Sequence, residues 1–193
     1  QWIGLDGAPE PLNFSVHSPI GVQGVGLGLG FTSDKIGPSV ESIVTADFSY
    51  TVNVSEGTQL SFGLKGGFSF LDIDPTKLVI YDPNDYDLSE NNYRSPIIGA
   101  GLYLHSENWY LGLSSPNFLE TDHYDDVQVS TATEKTHVYF IAGYVFTLNP
   151  NLKLKPTLLA KAVSGAPLAI DVSANALLYD RVTLGLAYRF DAA

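Results

Sequence analysis

Strict alternation of apolar and polar residues along short segments is the feature that most constrains the fold of this chain. It is clearest between Leu60 and Phe70, where leucine and phenylalanine take most of one set of alternate positions and serine, lysine and glycine take the other. The same period of two recurs at residues 44–52 and 170–176. Because successive side chains of a β-strand point to opposite faces of the sheet, the pattern predicts strands with one apolar face and one polar face.

Ten segments carry this alternation, some of them weakly, and Trp2 to Leu5 has the form of the end of another. The ten lie at residues 11–18, 22–32, 44–52, 60–70, 96–105, 109–115, 136–147, 152–162, 170–176 and 182–190. No segment shows the 3.6-residue period with capping residues that predicts a helix. We therefore predict an all-β fold of about eleven strands, forming a single domain over residues 1–193.

The links between these segments differ in length in a regular way. Short links are predicted at residues 19–21, 55–57, 106–108, 149–151 and 179–181, and longer ones at residues 33–41, 71–95 and 116–135. The link near residues 164–167 is short where the alternation requires a long one. Outer-membrane barrels have short turns at one end and long loops at the other, so these lengths indicate an antiparallel transmembrane β-barrel of the outer-membrane type.

Aromatic side chains flank several of the short links. They are Tyr50, Trp109, Tyr110, Tyr144, Phe146 and Tyr179. Such rings favour the headgroup level of a bilayer, where an apolar ring and a polar tip are both satisfied. In a soluble β-sandwich, the main alternative, the apolar faces would pack into a core. The other faces carry Ser, Thr, Asp, Asn and Lys along most strands, which suits a lumen, so the barrel is favoured.

Composition excludes several other classes of protein. The formal net charge is -11, and the ten Lys and Arg residues are scattered, which argues against a nucleic-acid partner. The chain has no Cys, so it has neither a disulfide framework nor a thiol site. No run approaches the roughly 18 apolar residues that a membrane-spanning helix needs.

Charged residues and glycines on the polar strand faces predict how a lumen would be filled. Four lysines and two aspartates lie there: Lys65, Lys153, Lys155, Lys161, Asp47 and Asp171. We predict that they form ion pairs, because charges away from water persist when they are paired. A selective pore lining is the alternative. The glycines from Gly24 to Gly30 alternate with apolar residues and precede no helix, which predicts close inward packing or strong local curvature rather than a phosphate-binding loop.

Two of the longer links are strongly acidic. Asp82, Asp85 and Asp87 are weak candidates for Ca²⁺ or Mg²⁺ ligands, but their spacing does not match a calcium-binding loop, and we expect a solvated loop without metal. Of the four histidines, His123 is the one that lies among carboxylates, between Glu120 and Asp126. Neither group forms a recognisable catalytic pattern, so we expect no enzymatic activity, no catalytic residues and no cofactor.

Ordered sequence blocks run from residue 2 to residue 189. The chain opens with QWIGLDGAPEPLNFSVHSPI, continues with VGLGLGFTSDKIGP, and later contains GYVF, LNPNLKLKP, KAVSGAPL, LLYD and GLAYR in that order. These blocks resemble the PorP/SprF family, the type IX secretion system membrane proteins of Bacteroidota. Members of that family carry a signal peptide and further strands around these blocks. The resemblance therefore implies that residues 1–193 form a barrel that lacks strands at both ends.

The resemblance also implies a cell outer-membrane location, within the type IX secretion and gliding motility apparatus. Such a protein supports the secretion or surface attachment of adhesins and docks periplasmic lipoprotein and peptidoglycan-binding partners, with outer-membrane lipids around it. The best-matching blocks fall at predicted periplasmic turns, where we expect partner contacts at His17, Ser18, Pro19, Asn149, Pro150, Asn151, Tyr179, Asp180 and Arg181. The alternative function is a passive channel for small solutes or fatty acids, which requires an open lumen.

Overall fold

The fold is a single antiparallel sheet of eleven strands. The computed structural model describes residues 8–21, 23–74, 92–119 and 135–190. The strands are β1 (Leu12–Pro19), β2 (Val25–Ile36), β3 (Ser39–Ser55), β4 (Thr58–Ile73), β5 (Asn92–Ser106), β6 (Trp109–Ser115), β7 (His137–Tyr144), β8 (Phe146–Asn149), β9 (Leu152–Val163), β10 (Ala169–Leu178) and β11 (Val182–Phe190). Across these ranges no helix has the length and apolar character needed to cross a membrane.

Neighbouring strands in the sequence are neighbours in the sheet, with one exception. β7 and β8 both pair with β9, so they share one place in the order, and eleven strands fill ten places. Val145 separates the two, and its amide donates to the carbonyl oxygen of Asn108 at 2.7 Å. The predicted all-β fold of about eleven strands is confirmed, but the chain is divided into strands differently from the prediction. The segment 136–147 was predicted as one strand, while Trp2 to Leu5 lies outside the described residues.

The apolar face of the sheet is exposed. Leu186 is 84% exposed, Phe14 65% and Leu64 60%. No hydrophobic side chain is buried in the described part of the chain, and the polar side chains that are less than a tenth exposed are Thr45, Ser69, Ser95 and Ser115. Because burial of apolar surface drives folding in water, this distribution is the inverse of a soluble domain's.

The polar face is the concave one. Asn13 on β1, Thr45 on β3 and Tyr139 on β7 line the same cavity of about 590 Å³, so the sheet curves until strands six places apart face each other. Its two edge strands, β1 and β11, do not pair with each other in the described residues, and the sheet is open there. We call the concave polar surface the inner face and the convex apolar surface the outer face.

Five links lie at one end of the sheet, which we call the turn end, and all of them are short. They connect Pro19 to Val25, Ser55 to Thr58, Ser106 to Trp109, Asn149 to Leu152 and Leu178 to Val182. These five predicted short links are therefore confirmed. At the other end, the loop end, β4 joins β5 through residues 74–91 and β6 joins β7 through residues 116–136.

The predicted long link at residues 33–41 is wrong. β2 and β3 continue their pairing through this stretch, from Ser33 opposite Ser42 to Ile36 opposite Ser39. The turn consists of Gly37 and Pro38 alone, and Gly37 has a φ of 56°, which glycine adopts without steric cost. The polar residues near the turn led to the prediction of a loop. They are compatible with paired strands because both faces of the sheet contact water at this end.

Candidate functional site

An ion pair lies at the centre of the inner face of β2, β3, β4 and β5. Asp47 on β3 stands opposite Lys65 on β4, and their Oδ1 and Nζ atoms are 2.7 Å apart. Nζ also lies 3.5 Å from Oγ1 of Thr45. The predicted pairing of Asp47 with a lumenal lysine is therefore confirmed.

Glycine and small polar residues surround this pair. Gly28 on β2 stands next to Asp47, and Gly99 on β5 stands next to Lys65. A Cβ atom on Gly26 would lie 2.7 Å from Oγ of Ser49, so the missing side chain leaves room for the hydroxyl of the neighbouring strand. A cavity of about 730 Å³ lies beside them, and its lining includes Gly26, Gly28, Asp47, Ser49 and Lys65. The contact at Gly26 agrees with the close inward packing predicted for the glycine run.

The inner face from β5 to β9 carries large side chains instead. Nζ of Lys155 lies 5.1 Å from the centroid of the Tyr110 ring, and Nζ of Lys161 lies 5.9 Å from that of Tyr139. The centroids of the Tyr103 and Tyr110 rings are 5.9 Å apart. Tyr110 was predicted to lie in an interfacial aromatic belt, but it stands on the inner face, opposite Gly143.

The predicted lumenal partners of the remaining charges are partly wrong. Asp171 pairs with Arg189, which stands opposite it on β11, through contacts of 2.6 Å from Nε and 2.9 Å from Nη2. On its other side the residue opposite Asp171 is Leu159, so no lysine is in register with it. Lys155 and Lys161 form no ion pair with a carboxylate in the described residues and lie over tyrosine rings.

Two of the three predicted docking blocks meet at the turn end. The amide of Tyr179 donates to the carbonyl oxygen of Asn151 at 2.8 Å, and Nζ of Lys153 lies 2.7 Å from Oδ1 of Asp180. The amide of Asn151 in turn donates to Oδ1 of Asn149 at 2.9 Å. The links β8–β9 and β10–β11 are thus joined into one surface, which we call the paired turns.

The paired turns expose a tyrosine in a strained backbone conformation. Tyr179 and Asp180 have φ values of 52° and 53°, a left-handed conformation that is unfavourable for residues with a side chain. Tyr179 is also 68% exposed. Non-glycine residues kept in this region often mark functional turns.

The third docking block lies on another part of the sheet. His17 is in β1 and stands opposite Gly28 on the inner face, where it lines the larger cavity. Ser18 and Pro19 end the same strand, and Oγ of Ser18 donates to the carbonyl oxygen of Pro19 at 3.0 Å. All three blocks thus lie at or near the turn end, but β1 and the paired turns are at opposite ends of the strand order.

The candidate metal ligands Asp82, Asp85 and Asp87 and the candidate His123 lie outside the described residues. Within the described ranges, no group of three His, Cys, Asp or Glu residues is arranged to hold a metal ion. Sequence reasoning missed Arg189 as the partner of Asp171 and Asp180 as the partner of Lys153. The alternation places Arg189 on the polar face, but the strand register that selects its partner is not visible in one sequence.

The sheet has a polar concave face and an exposed apolar convex face. This is the distribution expected of a protein whose convex surface contacts an apolar medium. The sequence model of the type IX secretion system membrane protein PorP/SprF family matches residues 1–193. The chain therefore belongs to the PorP/SprF family, and it is a membrane component of the type IX secretion system. No curated protein and no solved structure matches it.

Proposed function

We propose that the chain forms an outer-membrane β-barrel that supports the secretion or surface attachment of adhesins and docks periplasmic partners of the secretion machine. The observation that carries this proposal is the inverted sheet in a member of a secretion-system membrane family. A predominantly apolar outer face is stable against lipid and unstable against water.

Curvature and strand direction support a barrel. The inner faces of β1 and β7 already border one cavity, and the ten places of the sheet alternate in direction, so that β1 and β11 run antiparallel. Unpaired backbone groups at these edges cannot remain exposed to hydrocarbon. Completion of the sheet into a closed barrel satisfies them.

The paired turns are the best candidate for the docking surface. They combine an exposed aromatic ring on Tyr179 with backbone and ion-pair contacts that hold the two turns together. Exposed aromatic side chains on a fixed scaffold are common anchors of protein interfaces. The turn end faces the periplasm if the long loops take the usual cell-exterior side.

The secretion role is tested in a strain from which the gene has been deleted and then restored. Accessibility of a surface adhesin to external protease is measured in the deleted and restored strains. We expect the adhesin to be absent from the surface after deletion and to return on restoration. Normal display of every candidate adhesin in the deleted strain would contradict the proposed role.

The docking surface is tested with Tyr179→Gly, which removes the whole side chain, because glycine accepts the left-handed conformation of this turn. Glu56→Gln, in another turn at the same end, is the matched control. We expect recovery of periplasmic lipoproteins with the affinity-tagged protein to fall about tenfold for the Tyr179 variant. Equal recovery with both variants would argue against the paired turns as the docking site.

A passive channel is the second candidate function, and two of the cavities on the inner face favour it. Their volumes of about 730 Å³ and 590 Å³ are large enough for small solutes. Planar-bilayer recordings of the full-length protein distinguish the two functions. Robust single-channel conductance, without recovery of periplasmic partners, would favour the channel.

A further inference from the structure

The two larger cavities of the inner face lie end to end along the strands. On β3, the cavity of about 730 Å³ is lined by residues from Asp47 to Thr51, which lead toward the turn end. The cavity of about 590 Å³ is lined on the same strand by residues from Ile43 to Asp47, which lead toward the loop end. β1 is divided in the same way at Ser15. The two linings therefore meet along a common border that runs across the strands.

An ion pair stands on this border. The residues that belong to both linings in the described part of the chain are Ser15, Asp47, Lys65 and Pro116. Asp47 and Lys65 are opposite each other, and their Oδ1 and Nζ atoms are 2.7 Å apart. Gly28 is the next residue across the sheet from Asp47, and Gly99 is the next from Lys65. The pair thus projects from the sheet between two positions that have no side chain.

Both charges of the pair remain accessible from the cavities. The side chain of Asp47 is 41% exposed and that of Lys65 is 33% exposed. An ion that moves along the inner face from one cavity to the other therefore passes both charges. Because opposite charges in contact largely cancel at a distance, the intact pair favours neither sign, whereas loss of one partner leaves a single charge at the border.

We propose that the pair of Asp47 and Lys65 separates the two cavities and controls which small ions pass between them. The inference rests on the passive channel, the second candidate function. Charged side chains that line a pore are common determinants of ion selectivity, and constrictions limit its conductance. The pair is thereby a specificity-determining element as well as a structural contact between β3 and β4.

Planar-bilayer recordings of the full-length protein test the separation of the cavities. The double variant Asp47→Ala with Lys65→Ala is expected to raise the single-channel conductance about twofold or more, because it joins the two cavities. Glu10→Ala with Lys35→Ala is the matched control, since this pair lies in neither lining. Equal conductance of the unmodified protein and both double variants would overturn the proposal and leave the channel intact. Absence of conductance in all three would reject the channel itself.

Two single variants test the selectivity. Lys65→Gln leaves the carboxylate of Asp47 at the border, and Asp47→Asn leaves the ammonium of Lys65. We expect the ratio of K⁺ to Cl⁻ permeability, measured from reversal potentials in a KCl gradient, to rise about fivefold in the first variant and to fall about fivefold in the second. This is the factor that one unit charge gives at about 4 Å in bulk water.

Lys35→Gln and Glu10→Gln make the same changes of charge outside both linings, and we expect them to leave the permeability ratio unchanged. Circular dichroism verifies that all four single variants are folded. Shifts of the same sign in the Lys65 and Asp47 variants would overturn the proposal. Equal shifts in the Lys35 and Glu10 variants would reduce the effect to overall charge and overturn it as well.

Discussion

The inner face of the sheet has two contrasting regions. From β2 to β4 it is lined by glycine and small polar residues around the ion pair of Asp47 and Lys65, and it borders two cavities. From β5 to β9 it is lined by tyrosines and lysines such as Tyr110 and Lys155, which pack on one another. The first region has small side chains and the second carries large ones, although residues of both regions line the two cavities.

Because of this difference, substitutions in the two regions are expected to act in different ways. In the small-residue region, side-chain volume is limited by neighbouring backbone, so substitutions act through steric overlap. In the aromatic region, the ammonium groups of Lys155 and Lys161 lie over tyrosine rings, so substitutions of these residues remove weak contacts one at a time. Three substitutions test this contrast, from the largest expected effect to the smallest.

Gly67→Val is expected to have the largest effect. A Cβ atom at Gly67 would overlap the carbonyl oxygen of Val44 and lie 2.9 Å from Cγ2 of Thr45, and the backbone has no flexible side-chain end to move aside. We expect a loss of about 3 kcal/mol or more in the free energy of unfolding, measured by urea titration in micelles. Gly66→Val is the control, because a Cβ atom there meets nothing within 4 Å. Similar losses in both variants would break the contrast.

Asp47→Ala is expected to have an intermediate effect. It leaves Lys65 without its carboxylate on a face where the two side chains are 33% and 41% exposed, so part of the charge is rehydrated. We expect a loss of about 1–2 kcal/mol in the same titration, below the range for fully buried pairs. The double variant Asp47→Ala with Lys65→Met should recover part of this loss. A double variant that is less stable than the single one would show that the pair is not the relevant contact.

Lys155→Met is expected to have the smallest effect. The ammonium of Lys155 lies over the Tyr110 ring, and such contacts contribute about 0.5–1 kcal/mol at exposed sites. A double-mutant cycle with Tyr110→Leu measures the coupling free energy between the two residues. A coupling of zero, with both single variants folded, would remove the cation–π contact from the description of this region.

Much of the fold was predictable because the side chains of a strand alternate between the two faces with a period of two residues. The outer positions of β4, such as Leu64 and Phe68, follow from alternation, and five short links were located correctly. The pair of Asp47 and Lys65 was also predicted, since both residues lie on polar faces of adjacent strands.

The remaining errors concern register and turn geometry. Asp171 was assigned to a lysine, but the register places Arg189 opposite it. The β2–β3 turn was predicted as a long link, because pairing between polar residues leaves no hydrophobic signal.

The central claim is that the convex apolar face contacts lipid while the concave polar face contacts water. The chain has no Cys, so single cysteines for spin labels can be introduced on β4 without a background signal. Leu64 and Phe68 represent the outer face, and Ser61 and Ser69 represent the inner face. In protein reconstituted into bilayers, we expect labels at the outer positions to be accessible to oxygen and labels at the inner positions to a polar nickel chelate. The same accessibility at all four positions, or the reverse assignment, would contradict the claim.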